Sequence, residues 1–310
     1  MKKILLTTTL LCFVFSSNTL TAQENPPPYP WLDDLHLSLT SSVHDTANWL
    51  DTFFVNDSLE LDQDAHGYAR IRLAWEPRSR NFAEFESRLR VSWKLPKFKN
   101  QVSVVFSDYD EDLDQAPVKA AQNDVIEDQN RFNLALRWIR NTDNSKIWSH
   151  RIGIGRQLQP FVRTRLIKKF AMGEGNNLRT EVSGYYYAKD GFGSHLGLQY
   201  EHGISENSVL RFDNHLYYRG DDNDWLWRQS LYMMHQVNER SAFIHGVYVE
   251  GESEPNYQVT EYLVSSRWRK NALREWLFFE VEPFVLWSRE DNFSASYGVA
   301  LRVEGFFGHL

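Results

Sequence analysis

Cysteine is almost missing from this chain. The one cysteine, Cys12, lies in the first apolar stretch, and the residues before it, Thr9-Leu10-Leu11, lack the small side chain expected ahead of a lipidated cysteine. A chain that loses this stretch on export has no thiol to oxidise. We therefore expect a mature protein without a thiol, a disulfide or a lipid anchor.

Long apolar runs are missing too, apart from the stretch that starts the chain. Lys2 and Lys3 precede an apolar segment from Ile4 to Phe15, which is too short to span a bilayer as a helix. This arrangement predicts a secretory signal over residues 1–22, with cleavage after about Ala22. No later run is long enough for a transmembrane helix, so a helical membrane protein is excluded.

Positive charge is scarce. Without Lys2 and Lys3 the chain keeps 32 basic residues against 41 acidic ones, a formal charge of −9. Nucleic-acid binding depends on a basic surface field, so this composition argues against a nucleic-acid partner.

Aromatic residues are plentiful, at 15% of the chain. From Tyr68 onward apolar and polar residues alternate, as in Ala69-Arg70-Ile71-Arg72-Leu73, and this period of two indicates strands. We count about fourteen such strands, with 12 to 16 allowed by the ambiguous Gly153–Lys169 region. High aromatic content with alternation predicts an all-β, antiparallel up-and-down transmembrane barrel over residues 68–310. A soluble β-sandwich or a secreted β-rich enzyme is the competing interpretation.

Residues 23–67 form a separate leader. It begins with Pro26-Pro27-Pro28, which favours an extended start, and the spacing of Val43, Ala47, Leu50 and Phe54 predicts a short amphipathic helix over Ser42–Phe54. The leader either packs on the periplasmic base of the barrel or folds into the lumen, and both alternatives stay open.

The predicted turns fall into two alternating classes. Turns such as Ser205–Asn207 and Asn238–Ser241 are short, whereas the other class includes the long acidic segment Asp108–Asn130. Short periplasmic turns and longer outer loops are typical of outer-membrane barrels.

The last strand carries the most specific signal. Val299, Leu301, Val303 and Phe307 lie on one face of Phe293–Phe307, and the alternate positions are small or charged. Ser296, Gly298, Leu301 and Val303 match a polar-x-Gly-x-x-apolar-x-apolar pattern. This stretch resembles the terminal strand of bacterial outer-membrane β-barrels. The resemblance implies recognition by the barrel-insertion machinery and a location in the outer membrane of a Gram-negative bacterium.

Charged residues at inward positions are the candidate functional residues, because a charge facing hydrocarbon is costly. Basic residues dominate strands one to six, and later strands are mixed to acidic. If opposite halves of the wall face each other, they create a transverse field across a wet lumen, similar to the constriction of general porins. Arg70, Arg72, Arg88 and Arg90 would then lie opposite Glu280 and Glu282. The full set of predicted pore-lining residues is Arg70, Arg72, Arg88, Arg90, Arg137, Arg163, Arg165, Glu261, Glu280, Glu282, Arg302 and Glu304.

Signals for catalysis, metals and cofactors are weak. Outer-membrane lipid hydrolases share a His-x-Ser pair on a strand, and the only such spacing here, His36-Leu37-Ser38, precedes the strands. Glu280 and Glu282 could serve acid–base chemistry, but such pairs also occur in lumen walls. Asp108, Asp110, Asp112 and Asp114 resemble the start of a calcium loop, yet Leu113 stands where that loop needs glycine. We predict no catalytic residue, no metal and no cofactor. The acidic loop is expected to meet cations that bridge lipopolysaccharide.

The sequence therefore predicts a porin-like channel for passive diffusion of small hydrophilic solutes, with anions as candidates. Two alternatives remain. One is a plugged structural barrel or a partner of a surface assembly, and the other is a lipid-modifying hydrolase. The expected partners are outer-membrane lipid and lipopolysaccharide, the insertion machinery and small polar solutes.

Overall fold

The structure is a computed structural model. It describes residues 29, 31–33, 35–37, 67–79, 85–95, 101–107, 133–143, 145–173 and 175–308. Residues 31–33 and 35–37 are helical, and nearly all of the remaining described chain is strand. No helix within these ranges has the length and apolar character needed to cross a bilayer.

Fourteen antiparallel strands form one sheet that closes on itself, with β1 paired to β14 and every other strand paired to its neighbours in the chain. This confirms the predicted fold class and strand number. The strands are β1 (Gly67–Trp75), β2 (Phe85–Leu95), β3 (Val102–Ser107), β4 (Asn133–Asp143), β5 (Lys146–Ile154), β6 (Pro160–Ala171), β7 (Asn176–Tyr187), β8 (Gly191–Ser205), β9 (Ser208–Arg219), β10 (Asp224–Asn238), β11 (Ser241–Glu252), β12 (Gln258–Asn271), β13 (Leu277–Ser288) and β14 (Ala295–Gly308). The ambiguous region divides into β5 and β6, with a 3-10 turn at Arg156–Leu158 between them.

The two ends of the barrel differ in the length of their connections. At the end where β1 begins and β14 finishes, β8 stops at Ser205 and β9 starts at Ser208. At the opposite end, β3 stops at Ser107 and β4 starts only at Asn133. Because outer-membrane barrels keep short turns in the periplasm, we name the end with the chain termini the periplasmic end and the other the outer end. This matches the predicted sorting of turns.

The outward face is an apolar belt. Leu73, Ile152, Val182 and Leu196 are 51–64% exposed on the isolated chain. Trp75 and Trp287 lie near the outer end of their strands, and Trp148 lies near the periplasmic end of β5. Soluble monomers rarely expose so large an apolar surface, whereas a bilayer covers it and places indole rings at its two interfaces.

Close packing explains one glycine. A Cβ on Gly153 of β5 would lie 2.1 Å from the carbonyl oxygen of Leu134 on β4, so this position needs glycine. Glycine inside a strand often marks a close approach of another backbone, and Gly153 is such a position.

Several apolar side chains lie on the inward face. Leu263 of β12 shares the inward parity of Glu261 and is 1% exposed. Tyr248, Phe284 and Leu286 also face inward and pack around it. Part of this lumen is therefore apolar, which the rule of oily outside and polar inside does not anticipate.

Candidate channel wall

The predicted pore-lining residues all lie on inward strand positions. Most are buried: Arg88, Arg163, Glu261, Glu280, Glu282, Arg302 and Glu304 are at most 5% exposed, and Arg165 is 8% exposed. Arg70, Arg72, Arg90 and Arg137 are half-buried. A role in conduction remains a prediction for each of them.

Strands β12, β13, β14 and β1 carry an ion-pair network that we call the seam network. Its centre is Glu280, which lies 2.6 Å from Arg269, 3.6 Å from Arg302, 3.7 Å from Arg267 and 3.9 Å from Arg72. One carboxylate thus has guanidinium groups from three strands besides its own within ion-pair range.

Two further carboxylates on the same strands extend the network. Glu304 pairs with Arg70 and lies 2.7 Å from Arg269. Glu282 lies 2.8 Å from Arg267 and also pairs with Arg302.

Glu76 closes the network at the outer end, just after β1. Arg302 lies 2.7 Å away. Burial raises the pKa of Glu76 to about 7, although the Arg302 guanidinium opposes that shift. The protonation of this carboxyl therefore changes near neutral pH.

The expectation that Glu280 and Glu282 face the arginines of β1 across the lumen is wrong. Arg72 and Glu280 are lateral neighbours, because closure of the barrel makes the first and last strands adjacent. Opposite charges at the seam neutralise each other within the wall.

A second chain of polar contacts crosses β6 to β9. Glu181 lies 2.6 Å from Arg165 and 3.5 Å from Nδ1 of His195. Nε2 of His195 lies 3.0 Å from Nδ1 of His215, and the ring of Tyr217 stacks on His195 at 4.4 Å. The sequence analysis did not join these residues, yet all of them share the inward parity of their strands, which was the available signal.

Tyrosines complete the buried network on β9 to β11. Tyr232 donates a hydrogen bond to Asp213 at 2.7 Å, and Arg228 lies 3.0 Å from Glu250. Tyr248 donates to Glu250 as well. The carboxylates in this part of the wall are held in fixed positions by neutral and cationic donors.

The inward face of β1 to β6 is basic. Among its described side chains, Glu86 is the one inward carboxylate, beside Arg70, Arg72, Arg88, Arg90, Lys94, Arg137, Arg151, Arg163, Arg165 and Lys169. Several of these cations are direct cross-strand partners: Arg70 with Arg90, Arg72 with Arg88, and Arg137 with Arg151, which in turn is opposite Arg163. Like charges directly opposite one another are unfavourable in a sheet unless anionic groups compensate them. We call this surface the arginine wall.

The outer half of the lumen contains an apolar layer opposite in character to the arginine wall. Tyr248, Leu263, Phe284, Leu286 and Ala300 form it, and each is at most 4% exposed. Towards the periplasmic end the wall is wetter, since Arg70, Arg179, Arg211 and Arg269 keep side-chain exposures of 18–28%. A recess of about 340 Å³ opens there, with Arg269 and Phe278 in its lining.

The residues of the predicted insertion signal lie on both faces of β14. Ser296 and Gly298 face inward, and the Ser296 hydroxyl is 3.2 Å from that of Ser79. Leu301 and Val303 face outward, each 39% exposed. Recognition by the insertion machinery remains a prediction.

Among the described residues, the candidates for catalysis and metal binding are not assembled into a site. The His36 ring stacks on Trp276 at 4.7 Å, outside the barrel, and Ser38 lies outside the described residues. Glu280 and Glu282 form ion pairs with arginines of β12 and β14. Within the described ranges, no three histidine or acidic side chains are grouped closely enough to hold a metal ion. The acidic segment 108–114 and the predicted helix over Ser42–Phe54 also lie outside the described residues.

Solved structures share this architecture. The outer membrane channel DcaP of Acinetobacter baumannii superposes with a TM-score of 0.50 at 7% identity, covering 82% of this chain and 100% of that one. OmpT of Vibrio cholerae, expressed in the outer membrane, gives a TM-score of 0.53 at 8% identity, covering 81% and 100%. The chain has the fold of a porin-like outer-membrane β-barrel. No family model and no curated protein sequence matches it.

Proposed function

We propose that this outer-membrane barrel is a channel for passive diffusion of small hydrophilic solutes, and that it prefers anions. The observation that carries the proposal is the arginine wall, where Arg137, Arg151 and Arg163 are direct neighbours across three strands. Its cations are concentrated on one side of the lumen, with few carboxylates among the described residues.

Electrostatics explains how such a wall would act. Clustered cations beside a low-dielectric wall raise the local concentration of anions. Guanidinium groups also match carboxylate and phosphate groups in a bidentate fashion, so small carboxylates and phosphates are the expected solutes. The wetter periplasmic end and its recess support entry from that side.

Planar-bilayer recording tests the proposal. In a salt gradient, the purified protein should conduct and its reversal potential should indicate anion preference. Replacing Arg137 and Arg163 together by glutamine removes two positive charges from the wall and makes the local electrostatic potential less positive. The reversal potential should then shift towards the value for a cation-selective channel. Lys168→Gln is the matched control, since Lys168 faces outward on β6 and lies over Phe170. An unchanged reversal potential in the double variant would contradict the role of the wall.

A closed structural barrel is the second candidate, and the apolar layer favours it. Phe284 and Leu286 are at most 4% exposed, so the outer half of the lumen is packed around them. A closed barrel predicts no conductance from the native protein. A channel in which this layer only narrows the path predicts native conductance, increased in Leu263→Ala.

A further inference from the structure

The described part of the leader is fixed to the outside of the barrel. Asp33 accepts hydrogen bonds from Arg274, which lies in the turn between β12 and β13, at 2.5 Å for Nη2. The His36 ring stacks on Trp276 in the same turn and lies 5.5 Å from Phe307 of β14. Leu32 is 8% exposed. These contacts hold residues 31–33 and 35–37 against the periplasmic end of the outward face, beside the seam where β14 meets β1.

The helix does not fill the space beside it. Next to these contacts, an apolar groove of about 470 Å³ lies between the leader and the wall. Leu32 and Leu35 line one side, and the outward side chains of Leu73, Phe279 and Val303 line the other. Its volume lies within the range of small-ligand pockets.

The two ends of this groove have different neighbours. One end is at Trp276, and beside this indole lie His36, which stacks on it, and the Asp33–Arg274 ion pair, next to the groove rather than in its lining. We call this the ionic end. The other leads to Leu73 and Val303, which are 57% and 39% exposed on the lipid-facing belt. Tryptophans mark headgroup depth in a bilayer and aliphatic belts mark the hydrocarbon. A ligand that matches both ends must have a polar group near Trp276 and a hydrocarbon chain that extends towards Leu73 and Val303.

We propose that the groove holds one acyl chain of a phospholipid from the periplasmic leaflet, with the headgroup at the ionic end. The groove is continuous with a surface that already faces lipid, so the bilayer supplies the chain directly. Water is a poor occupant because the described side chains that line the groove are almost all aliphatic or aromatic and offer it few polar partners. The leader and wall then clamp a resident lipid over the closing seam.

Photochemical labelling tests this assignment with the full mature protein. The protein is reconstituted in phosphatidylcholine vesicles that contain a phosphatidylcholine with a mid-chain diazirine. After illumination, mass spectrometry locates the adducts. We expect them to concentrate on the peptide containing Leu32 and Leu35 and on the segments containing Leu73 and Val303. Labelling spread evenly over outward residues would mean ordinary boundary lipid and would overturn the proposal.

A pair of variants provides the control. Leu73→Trp places a large ring in the groove, whereas Leu196→Trp makes the same change on the outward face of β8, where Leu196 is 51% exposed. If the new indole displaces two methylenes of the bound acyl chain, the yield of photoadducts at Leu32 and Leu35 should fall about tenfold. Leu196→Trp should leave them unchanged. Both variants should keep the folded electrophoretic mobility, and equal labelling in the two would contradict a bound chain.

A micelle experiment separates a lipid site from a hole that accepts any alkyl chain. The protein is placed in micelles of a detergent whose alkyl chain carries a diazirine. The sample is then illuminated with and without added phosphatidylcholine. Phospholipid should displace the detergent label at Leu35. Detergent labelling that phosphatidylcholine does not reduce would refute the lipid assignment.

Discussion

Arg72 on the first strand and Glu280 on the thirteenth lie 3.9 Å apart inside the barrel, although most of the chain separates them in sequence. Their contact spans the closing seam, where β14 lies between their strands. Arg302 from β14 and Arg267 and Arg269 from β12 surround the same carboxylate. The strands that complete the barrel are therefore connected by a buried charge cluster as well as by the backbone ladder.

Glu280→Gln should weaken the barrel strongly. The substitution keeps the shape of the side chain but leaves several buried guanidinium groups with one anion fewer, which costs about 3–5 kcal/mol in comparable buried pairs. Urea unfolding of the protein in lipid vesicles, followed by tryptophan fluorescence, measures the change. Glu290→Gln in the exposed turn after β13 is the control and should leave the unfolding midpoint in place. Equal midpoints for both variants would show that the cluster adds nothing to stability.

Periodicity alone predicted most of the fold. Alternation along β1 or β14 determines which side chains meet lipid, because neighbouring strand residues point to opposite faces. The even strand number and the two classes of turns follow from the same pattern. The alternation in the sequence could not assign the ion-pair partners, however. Contacts between strands far apart in the sequence are set by the pairing of β1 with β14, which closes the barrel. Arg72 was expected opposite Glu280 and is instead its neighbour.

The apolar layer was missed for a different physical reason. Leu263 is apolar like a belt residue but has the inward parity of Glu261, and its packing against Phe284 and Leu286 makes that inward position favourable. Similarly, nothing local to His195 or His215 indicates that the two rings meet on adjacent strands. Contacts of this kind depend on the relative register and packing of several strands, which the sequence of a single strand does not determine.

Glu76 should make stability depend on pH near neutrality. Burial raises the pKa of its carboxyl to about 7 in the folded barrel, above its ordinary value of 4.5. A raised folded pKa contributes stability that is complete below the unfolded value and is lost as the pH rises through the folded one. Wild-type protein should therefore lose stability between about pH 5 and about pH 8, by up to about 3 kcal/mol from this group.

Glu76→Gln isolates that contribution. The variant stays neutral, so its unfolding midpoint in urea should change less over the same pH interval than that of the wild type. Glu290→Gln again serves as the control, because Glu290 is exposed. If the wild type and Glu76→Gln show the same pH dependence, the carboxyl does not titrate in this interval.

The attachment of the leader should respond to acid in the opposite direction. Hydrogen bonds from Arg274 hold the pKa of Asp33 below its ordinary value. A depressed folded pKa gives a contribution that is present above the unfolded value of about 3.9 and is lost as the pH falls through the folded value. An unfolded substrate digested in parallel corrects for the pH dependence of pepsin itself. Relative to that substrate, the peptide 29–37 should resist pepsin at about pH 5 and become sensitive at about pH 2.

Asp33→Asn removes the charge at every pH. Measured against the same unfolded substrate, its leader should be equally sensitive to pepsin across that range, whereas Asp291→Asn, in the turn before β14, should behave as the wild type. Resistance of the Asp33→Asn leader at about pH 5 would mean that Leu32 and His36 suffice for attachment.

Gly298 and Phe284 offer a test that separates packing from recognition. A Cβ on Gly298 would lie 2.3 Å from the ring of Phe284, on the neighbouring strand, and that ring is packed into the apolar layer. Gly298→Ala should therefore destabilise the barrel by about 1–3 kcal/mol, the usual cost of overpacking. With Phe284→Leu as background the clash is relieved, and the same alanine should be neutral or stabilising, since glycine in a strand costs conformational entropy. A urea double-mutant cycle measures the coupling.

Assembly in cells then gives an independent measurement on the same four proteins. If the insertion machinery requires glycine at position 298, the amount of barrel in the outer membrane falls with alanine in both backgrounds. If Gly298 is needed only because the Phe284 ring occupies the space of a Cβ, assembly recovers in the Phe284→Leu background together with stability. Recovery of stability without recovery of assembly would assign Gly298 to recognition, and recovery of both would assign it to packing.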